Sequence, residues 1–357
     1  MSFKKQYLAK EDELYFIAEI GINHNGLFDL AINMIDKSKE AGAKAVKFQK
    51  RNPEYLLLDG VKIEEPTGYL SKNENDFPDE SKAFGTWDYP DLRLELSDEQ
   101  HLELWDHATK QGLDYIISPW DEDSLDFLVK NKAKVIKIAS IDTNNFWFME
   151  LVASKKIPVI ASVGMCNWAE INNTWQIFNK ASCPLMFLHC TSAYPSELED
   201  KNLRCIPILQ NLFNQDVGFS GHGVGDTGTL GAVALGAEVI EKHVTLSRKM
   251  SGPDQNASLE FNEFKELIVD SNKIKIALGD TNKVFLDSES VLHSVLSKRI
   301  ITSKEIKKGD KLNFSNLRTV VTKKEEGILP NKYYEVEGRT ALLDLEKNHI
   351  ISYKDFV

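Results

Sequence analysis

The stretch VIEKHVT, residues 239–245, begins and ends with β-branched residues and predicts a β-strand. Side chains alternate along a strand, so Glu241 and His243 share one face. Just upstream, VGFSGHG at 217–223 predicts a second strand, which ends at His222 between two glycines that let a ligand approach the backbone closely. In a parallel barrel, such strand ends form the face that carries the active site. The two stretches therefore predict an acid and two histidines at one end of a barrel.

Working outward from that strand, eight strand-like runs precede Leu246, separated largely by helical patterns. One helical pattern runs from Leu27 to Ala41 and stops at Gly42, and another spans 96–112 with a cap at Ser97. Eight such units close a (β/α)8 barrel, the TIM fold, although a doubly wound open sheet uses the same units. The predicted strands are 15–21, 45–49, 114–120, 134–140, 158–164, 185–190, 217–223 and 239–245.

The chain has 357 residues, which is more than one core usually accommodates, so a second, smaller domain is expected. After a long helical pattern at 261–279 a polar stretch follows, and then short β-like runs with turn signals. We predict a barrel domain over 1–280, a linker over 281–294 and a small β-rich domain over 295–357.

The net charge of −11 disfavours nucleic acid and anionic membranes as general partners. No apolar run is long enough to span a bilayer, and the first residues lack the apolar core of a signal peptide, so a cytoplasmic protein is expected. The four cysteines have no CxxC spacing and are predicted to be reduced: Cys166, Cys183, Cys190 and Cys205.

Between the second and third predicted strands lies an irregular polar stretch, residues 52–96, which is far longer than an ordinary connection. Its segment FGTWDYPDL, 84–92, is rich in aromatic residues, which favours a folded lid over a disordered loop.

Two lysines stand inside otherwise apolar strands, Lys47 in AVKFQ and Lys137 in VIKIAS. A single lysine on a strand more often faces solvent or an ion-pair partner. A buried ammonium is costly without a partner, so the pair predicts acidic neighbours or an anionic ligand between them. With the hydroxyls of Ser162 and Ser220 they would suit a phosphate and a carboxylate. The same strand-end rule selects Glu19 and Gln49.

His222 and His243, at the ends of consecutive strands, could together hold a divalent cation through neutral imidazoles; either one alone is more often a structural histidine. No HExxH motif, cysteine cluster or GxGxxG spacing supports a zinc or dinucleotide site. The remaining histidines are expected to be core or turn residues (His24, His189) and surface residues or helix fillers (His101, His107, His293, His349).

These motifs resemble those of the sialic acid synthase family, whose members also make legionaminic and pseudaminic acids. The matching stretches run in order through nearly all of residues 14–280, and the tail segment IITSKEIKKGDKL, 300–312, is similar to the family's antifreeze-like (SAF) domain. The stretches are FIAEIGINHNG (16–26), AGAKAVKFQ (41–49), VIKIAS (135–140), SVGM (162–165), LHCTSAYP (188–195), GFSGHGVG (218–225), LGAEVIEKHVT (235–245) and SGPDQNASLE (251–260).

The resemblance implies a TIM barrel with an SAF domain that condenses phosphoenolpyruvate with the open-chain aldehyde of an N-acetylated amino sugar. The products would be a nine-carbon α-keto acid and phosphate. His222 and His243 would bind Mn²⁺ or Mg²⁺, and Glu241 would orient the water or a proton; with Glu19 and Lys137 it is a candidate catalytic residue. Phosphoenolpyruvate would be surrounded by Lys47, Lys137, Ser140, Ser162, Ser192 and Ser220, and the sugar by Glu19, Gln49, Tyr194 and Asp254.

Two departures from the family pattern bear on specificity. Ser192 stands where members often have asparagine, and Lys323, in KKEEGI, stands where many bacterial members have an arginine that reaches the partner's sugar site. A lysine has no guanidinium fork for bidentate recognition, so a different preference for the acyl group is expected. The resemblance also implies a domain-swapped homodimer.

Two alternatives stay open. One is another phosphoenolpyruvate-dependent aldol-type synthase, of the 3-deoxy-ulosonate type, against which the SAF-like tail argues. The other is a non-catalytic sugar-binding barrel, against which both lysines, both histidines and Glu241 argue. The sequence does not indicate whether the acceptor sugar is N-acetylmannosamine, its 6-phosphate or a diacetamido hexose.

Overall fold

The computed structural model describes residues 2–9, 13–52, 56, 63–64, 88–89, 94–223, 225–250, 252–322 and 326–357. These residues form two compact units, which divide between Gly279 and Asp280. The lid predicted within 52–96 falls almost wholly outside the described residues, as does Lys323.

The first unit contains eight parallel strands, each followed by a helix. The strands are β1 (Tyr15–Gly21), β2 (Ala45–Lys50), β3 (Asp114–Pro119), β4 (Ile136–Ile138), β5 (Val159–Ser162), β6 (Leu185–Cys190), β7 (Val217–Gly221) and β8 (Val239–Thr245). The helices are α1 (Phe28–Ala41), α2 (Asp98–Lys110), α3 (Glu122–Lys130), α4 (Phe146–Ser154), α5 (Trp168–Ala181), α6 (Cys205–Phe213), α7 (Thr227–Ala234) and α8 (Phe261–Leu278). Short strand pairs join Leu259–Glu260 to the end of β8, and Ile63–Glu64 to Asp88–Tyr89.

The strands follow the spatial order β3, β2, β1, β8, β7, β6, β5, β4, so the first and last strands of the barrel are paired and the sheet curls into a nearly closed barrel. This order confirms the predicted TIM architecture and excludes a doubly wound open sheet. The register places Glu19 level with both Lys47 and His243, and Glu241 level with Ser220. Side chains chosen from separate strands therefore meet at two neighbouring levels of the barrel.

Local signals in the sequence explain where several elements begin and end. Ser97 caps α2 in a reciprocal capping box with Gln100, and α1 ends at Gly42, whose φ of 101° favours glycine. Strand β4 is shorter than its predicted run, because the chain turns into a 3₁₀ helix at Ser140–Asp142.

The amino end of the barrel is closed by the first residues of the chain, which no sequence pattern indicated. A π-helix at Lys4–Leu8 places Phe3 and Leu8 in an apolar cluster with residues from the strand starts. Lys4 is fully buried there, with Nζ 2.9 Å from Glu238 Oε2 and donating to the Glu13 carbonyl at 2.8 Å. These first residues therefore form a packed plug at the amino end of the barrel.

His101 was expected at the surface or as a helix filler, and the surface expectation is wrong. The residue is buried with Leu104 and Ala108 on the inner face of α2, and its Nδ1 lies 3.0 Å from the hydroxyl of Tyr115. Burial, reinforced by the Lys50 ammonium, lowers the pKa of His101 to about 3.

The second unit has its own apolar core around an antiparallel pair, β9 (Lys298–Thr302) and β10 (Leu317–Val321). Two short helices accompany the pair, α9 (Ser290–Leu296) and α10 (Tyr333–Val336), the second lying within a run that was predicted to be β-like. The segment predicted as a linker contains a 3₁₀ turn, Asp287–Glu289, and most of α9. No described helix in either unit combines the length and the apolar character needed to cross a membrane.

Candidate active site

A cavity of about 220 Å³ opens at the carboxyl ends of the strands. Among the described residues, its wall contains every predicted site residue except Asp254. Those residues are Glu19, Lys47, Gln49, Lys137, Ser140, Ser162, Ser192, Tyr194, Ser220, His222, Glu241 and His243. The barrel thus brings together side chains from all parts of residues 19–243, because alternate positions of neighbouring strands face its interior.

Four charged side chains form the floor of the cavity. Lys47 Nζ lies 2.9 Å from Glu19 Oε2 and 3.8 Å from Glu241 Oε1, and Lys137 Nζ lies 3.7 Å from that same Glu241 oxygen. All four are buried. Glu241 is therefore held between two ammonium groups, and the acidic partners predicted for the lysines are Glu19 and Glu241.

The charges in this group follow from burial and from each other. Burial raises the pKa of Glu19 to about 7, although Lys47 opposes the rise. Burial would also raise the pKa of Glu241, but Lys137 and Lys47 outweigh it, so that pKa is lowered. Near neutral pH, Glu241 is ionised while Glu19 is partly protonated. The floor consequently carries a net positive charge, which favours an anionic ligand.

Hydroxyl groups extend the polar surface around the lysines. Lys137 Nζ donates to Ser162 Oγ at 2.7 Å, and Ser220 Oγ donates to Glu241 Oε1 at 3.1 Å. Gly164 N donates to Ser140 Oγ at 3.1 Å, and a Cβ on Gly164 would collide with the hydroxyls of Ser140 and Ser192. A glycine is needed here so that these hydroxyls can converge on one wall.

His222 is oriented by backbone and side-chain contacts. Its Nδ1 lies 3.0 Å from the Thr191 carbonyl, which can only accept, so Nδ1 carries a hydrogen; a neutral ring then offers the Nε2 lone pair. Tyr194 OH lies 3.0 Å from that Nε2. Burial opposes protonation of His222, but the nearby Cys190 thiol outweighs it and raises the pKa of the ring.

His243 faces His222, with 5.3 Å between the ring centroids. Its Nδ1 is buried without a hydrogen-bond partner among the described residues, and Asp254 Oδ2 lies 3.7 Å away. Burial, with the neighbouring His222, holds the pKa of His243 well below its usual range, so the ring is neutral. An orphaned neutral imidazole is a suitable metal ligand.

The two rings fit a divalent cation in part. Within the described ranges, no group of three or more His, Cys, Asp or Glu side chains is arranged around a metal position. In that part of the chain no third His, Cys, Asp or Glu side chain completes a site with His222 and His243, and substrate or water would have to contribute to the coordination.

Several residues of the cavity wall were not selected from the sequence: Ser118, Trp120, Ala139, Ile141 and Met165. Ser118 accepts from Lys47 Nζ at 3.2 Å and lies at the end of β3. The strand-end rule that selected Gln49 on β2 applies equally to Ser118 and Trp120, so the signal was present. Asp254 lies beside His243 instead of in the wall, and Lys323 lies outside the described residues.

Known proteins resemble this chain over most of its length. The NeuB family model matches residues 34–283. A pseudaminic acid synthase of Campylobacter jejuni (strain 81-176) is 34% identical over 353 residues, 97% of each chain. An N-acetylneuraminate-9-phosphate synthase of Mus musculus is 35% identical over 347 residues, which cover 97% of this chain and 93% of that protein.

Among solved structures, the N-acetylneuraminic acid synthetase of Leptospira borgpetersenii, crystallised with citrate, superposes with a TM-score of 0.68 at 31% identity. The match covers 79% of this chain and 90% of that one.

Proposed function

The chain belongs to the NeuB family, and on that premise we propose that it is a nonulosonic acid synthase that condenses phosphoenolpyruvate with an N-acetylated amino-sugar aldehyde. The products would be a nine-carbon α-keto acid and inorganic phosphate. The other possibilities, a 3-deoxy-ulosonate type of synthase and a non-catalytic sugar-binding barrel, become outcomes of the test below.

One observation carries this proposal: two buried ammonium groups lie on either side of Glu241 Oε1, at 3.8 and 3.7 Å. An ionised carboxylate between two lysines can orient a water molecule while the lysines hold the anionic groups of phosphoenolpyruvate. Ser140, Ser162, Ser192 and Ser220 would donate hydrogen bonds to the same anion.

In the proposed reaction, carbon 3 of phosphoenolpyruvate forms a bond to the aldehyde carbon, and the aldehyde oxygen takes a proton to become a hydroxyl. Water adds at carbon 2, and cleavage of the bond between carbon 2 and the phosphate oxygen releases phosphate and leaves a keto group. Glu241 would orient the water, and Lys47 and Lys137 would stabilise the negative charge that develops.

His222 and His243 would hold the divalent cation, Mn²⁺ or Mg²⁺. When bound there, it would supply Lewis-acid polarisation of the aldehyde. The orphaned Nδ1 of His243 is compatible with this role. So is the proton on Nδ1 of His222, because a neutral His222 ring would offer a ligand the Nε2 lone pair that Tyr194 OH approaches to 3.0 Å.

Glu19, Gln49, Tyr194 and Asp254 would bind the sugar. The two relatives are named as synthases of different acids and are 34% and 35% identical to this chain, so identity does not select one product. Ser192 and Lys323 are the positions at which we expect this chain to differ in its contacts with substrate.

The decisive experiment measures phosphate release from phosphoenolpyruvate with a panel of acceptors, and Glu241→Gln serves as the control. The panel contains N-acetylmannosamine, its 6-phosphate, diacetamido hexoses and the aldose phosphates used by 3-deoxy-ulosonate synthases. We expect release with one of the amino sugars. Release with an aldose phosphate alone would support the other synthase class, and binding of a sugar without any release would support the non-catalytic barrel.

We also propose the homodimer that the resemblance implies, in which an SAF-type tail contributes to the partner's sugar pocket. In support, the segment 284–296 carries seven large apolar side chains that are each at least half exposed: Val284, Phe285, Leu286, Val291, Leu292, Val295 and Leu296. Such a patch favours a protein contact. Mixing a chain that ends at Gly279 with a His222→Ala chain should restore activity, and exchange of subunits without recovery would contradict the crossing.

A further inference from the structure

Two lysines are buried outside the cavity, behind the strand ends that carry His222 and His243. Lys242 lies between Glu241 and His243 on β8, so it faces away from the barrel interior, and it is only 2% exposed. Lys201, which precedes α6, is 5% exposed. The reaction proposed above assigns no task to either lysine.

Lys242 holds the backbone next to His222 directly. Its Nζ donates to the Gly223 carbonyl at 2.7 Å, and its own backbone pairs with Gly221 on β7. One lysine therefore contacts the residues on both sides of His222.

Lys201 holds the same segment through Ser196. Its Nζ donates to Ser196 Oγ at 2.7 Å and to the Ser196 carbonyl at 3.2 Å, while Ser196 N donates to the carbonyl of His222 at 3.1 Å. A Cβ on Gly223 would collide with the Lys201 ammonium, and a Cβ on Gly228 would collide with its stem. Two of the four glycines in GHGVGDTG (221–228), Gly223 and Gly228, thus make room for Lys201.

Neither ammonium has a carboxylate within ion-pair distance among the described residues, so hydroxyl and carbonyl oxygens are the acceptors observed for both. Burial, reinforced by the charge of Lys201, lowers the pKa of Lys242 to about 7. Burying two amines in this way is costly, yet an amine donates to a carbonyl in either protonation state. The arrangement is therefore better suited to fixing backbone than to neutralising charge.

We propose that Lys242 and Lys201 are positioning residues that clamp the backbone of residues 222–223 from outside the barrel and thereby aim His222 into the cavity. The metal-binding part of the inference rests on the proposed function; the orientation of the ring does not. Groups that lie behind a metal ligand and orient it typically change metal affinity or activity by about 10–100-fold when removed.

The test uses the full-length protein with Lys242→Met and Lys201→Met. Each substitution removes the amine but keeps an unbranched side chain that reaches as far as Cε of lysine. Lys4→Met is the matched control, because Lys4 is equally buried at the opposite end of the barrel. Ring-nitrogen NMR of histidine-labelled, metal-free protein reports the His222 ring, with its signal assigned through His222→Gln. Titration with Mn²⁺ reports affinity.

We expect the His222 ring signals to shift in both clamp variants and the Mn²⁺ dissociation constant to rise about 10–100-fold. Lys4→Met should leave both measurements unchanged. Unaltered ring signals in the clamp variants would overturn the inference, as would an equal shift in Lys4→Met, since the effect would then be general destabilisation. If Lys242→Met fails to fold, the His222 ring signals of Lys201→Met decide whether the inference holds. If the wild type binds no Mn²⁺, the proposed metal site is wrong, and the ring signals of the variants still test whether the two lysines orient His222.

Discussion

The two ends of the barrel bury lysines in different surroundings. At the amino end, Lys4 has an acidic partner, Glu238, and the Glu13 carbonyl, and it sits in an apolar plug. At the carboxyl end, Lys47 and Lys137 share Glu241, whose Oε2 has no hydrogen-bond partner among the described residues, and His243 Nδ1 is likewise orphaned there. Burial of a lysine is thus common to both ends, whereas the orphaned atoms Glu241 Oε2 and His243 Nδ1 belong to residues that line the cavity at the carboxyl end.

This difference indicates what each end is for. A buried polar group that is fully paired contributes to folding, and one that is left partly unpaired costs stability until a ligand pairs with it. We therefore expect substitutions at the carboxyl end to reduce activity more than stability, and substitutions at the amino end to do the reverse.

The largest effect is expected from His222→Ala and His243→Ala. Removing a metal ligand should cost more than the roughly 100-fold upper limit for groups that lie behind ligands, and it should abolish Mn²⁺ binding. Phosphate release and Mn²⁺ titration, each with and without a chelator, measure these two losses. Full turnover in a demonstrably metal-free sample would show that the reaction at the carboxyl end of the barrel does not need a metal.

Next in size are Lys47→Met and Lys137→Met, the counterparts of Lys4→Met. Each deletes a charge-assisted contact worth roughly 1.5–3 kcal/mol, so the efficiency with phosphoenolpyruvate should fall about 10- to 100-fold. Stability should change little, because Glu19, whose pKa burial already raises to about 7, can take up a proton when Lys47 is gone. Steady-state kinetics and urea unfolding measured on one preparation would separate the two effects, and unchanged kinetics in both variants would refute the assignment.

Lys4→Met should show the reverse pattern. Losing the contacts to Glu238 and the Glu13 carbonyl should lower the free energy of unfolding by about 2 kcal/mol, a moderate value because Glu238 is one-third exposed. Activity per folded molecule should match the wild type. A fall in turnover with unchanged stability would contradict the expectation that substitutions at the amino end affect stability more than activity.

A last effect, of similar size to that of Lys4→Met but seen only on acidification, concerns the buried His101 on α2. The pKa of His101 is lowered from 6.5 to about 3 in the folded protein, so the unfolded chain binds the extra proton between those values and stability is lost as pH falls below 6.5. From pH 7 to pH 5 this residue should account for about 2 kcal/mol of that loss. His101→Gln should flatten the pH dependence of urea unfolding by that amount, and an unchanged slope would contradict it.

Local pattern was sufficient to predict most of the barrel and the wall of its cavity. Strands with β-branched and apolar residues, caps such as Ser97 and stops such as Gly42 are encoded within a few residues, and strand alternation then selects Lys47 or Glu241. His101 was missed although it stands three residues before Leu104 and seven before Ala108, a helical spacing that favours burial.

The buried lysines outside the cavity were beyond such reasoning. Lys242 pairs with a carbonyl 19 residues away, and Lys4 pairs with Glu238, near the opposite end of the barrel domain's sequence. A polar residue is tolerated in a core only through a partner brought there by the completed fold, and no periodicity in the sequence indicates that partner.

The sheet order ends at β3 on one side and β4 on the other, so these neighbours lack the hydrogen-bonded ladder that joins every other adjacent pair of described barrel strands. The barrel is round in shape but has a seam, and the seam runs up to the cavity between Ser118 on β3 and Lys137 on β4. Amide hydrogens protected only by local structure exchange with solvent faster than those in a closed ladder. Deuterium should therefore enter β4 before it enters β1 and β8, and the wall that carries Lys137 should be the one able to yield when a substrate arrives.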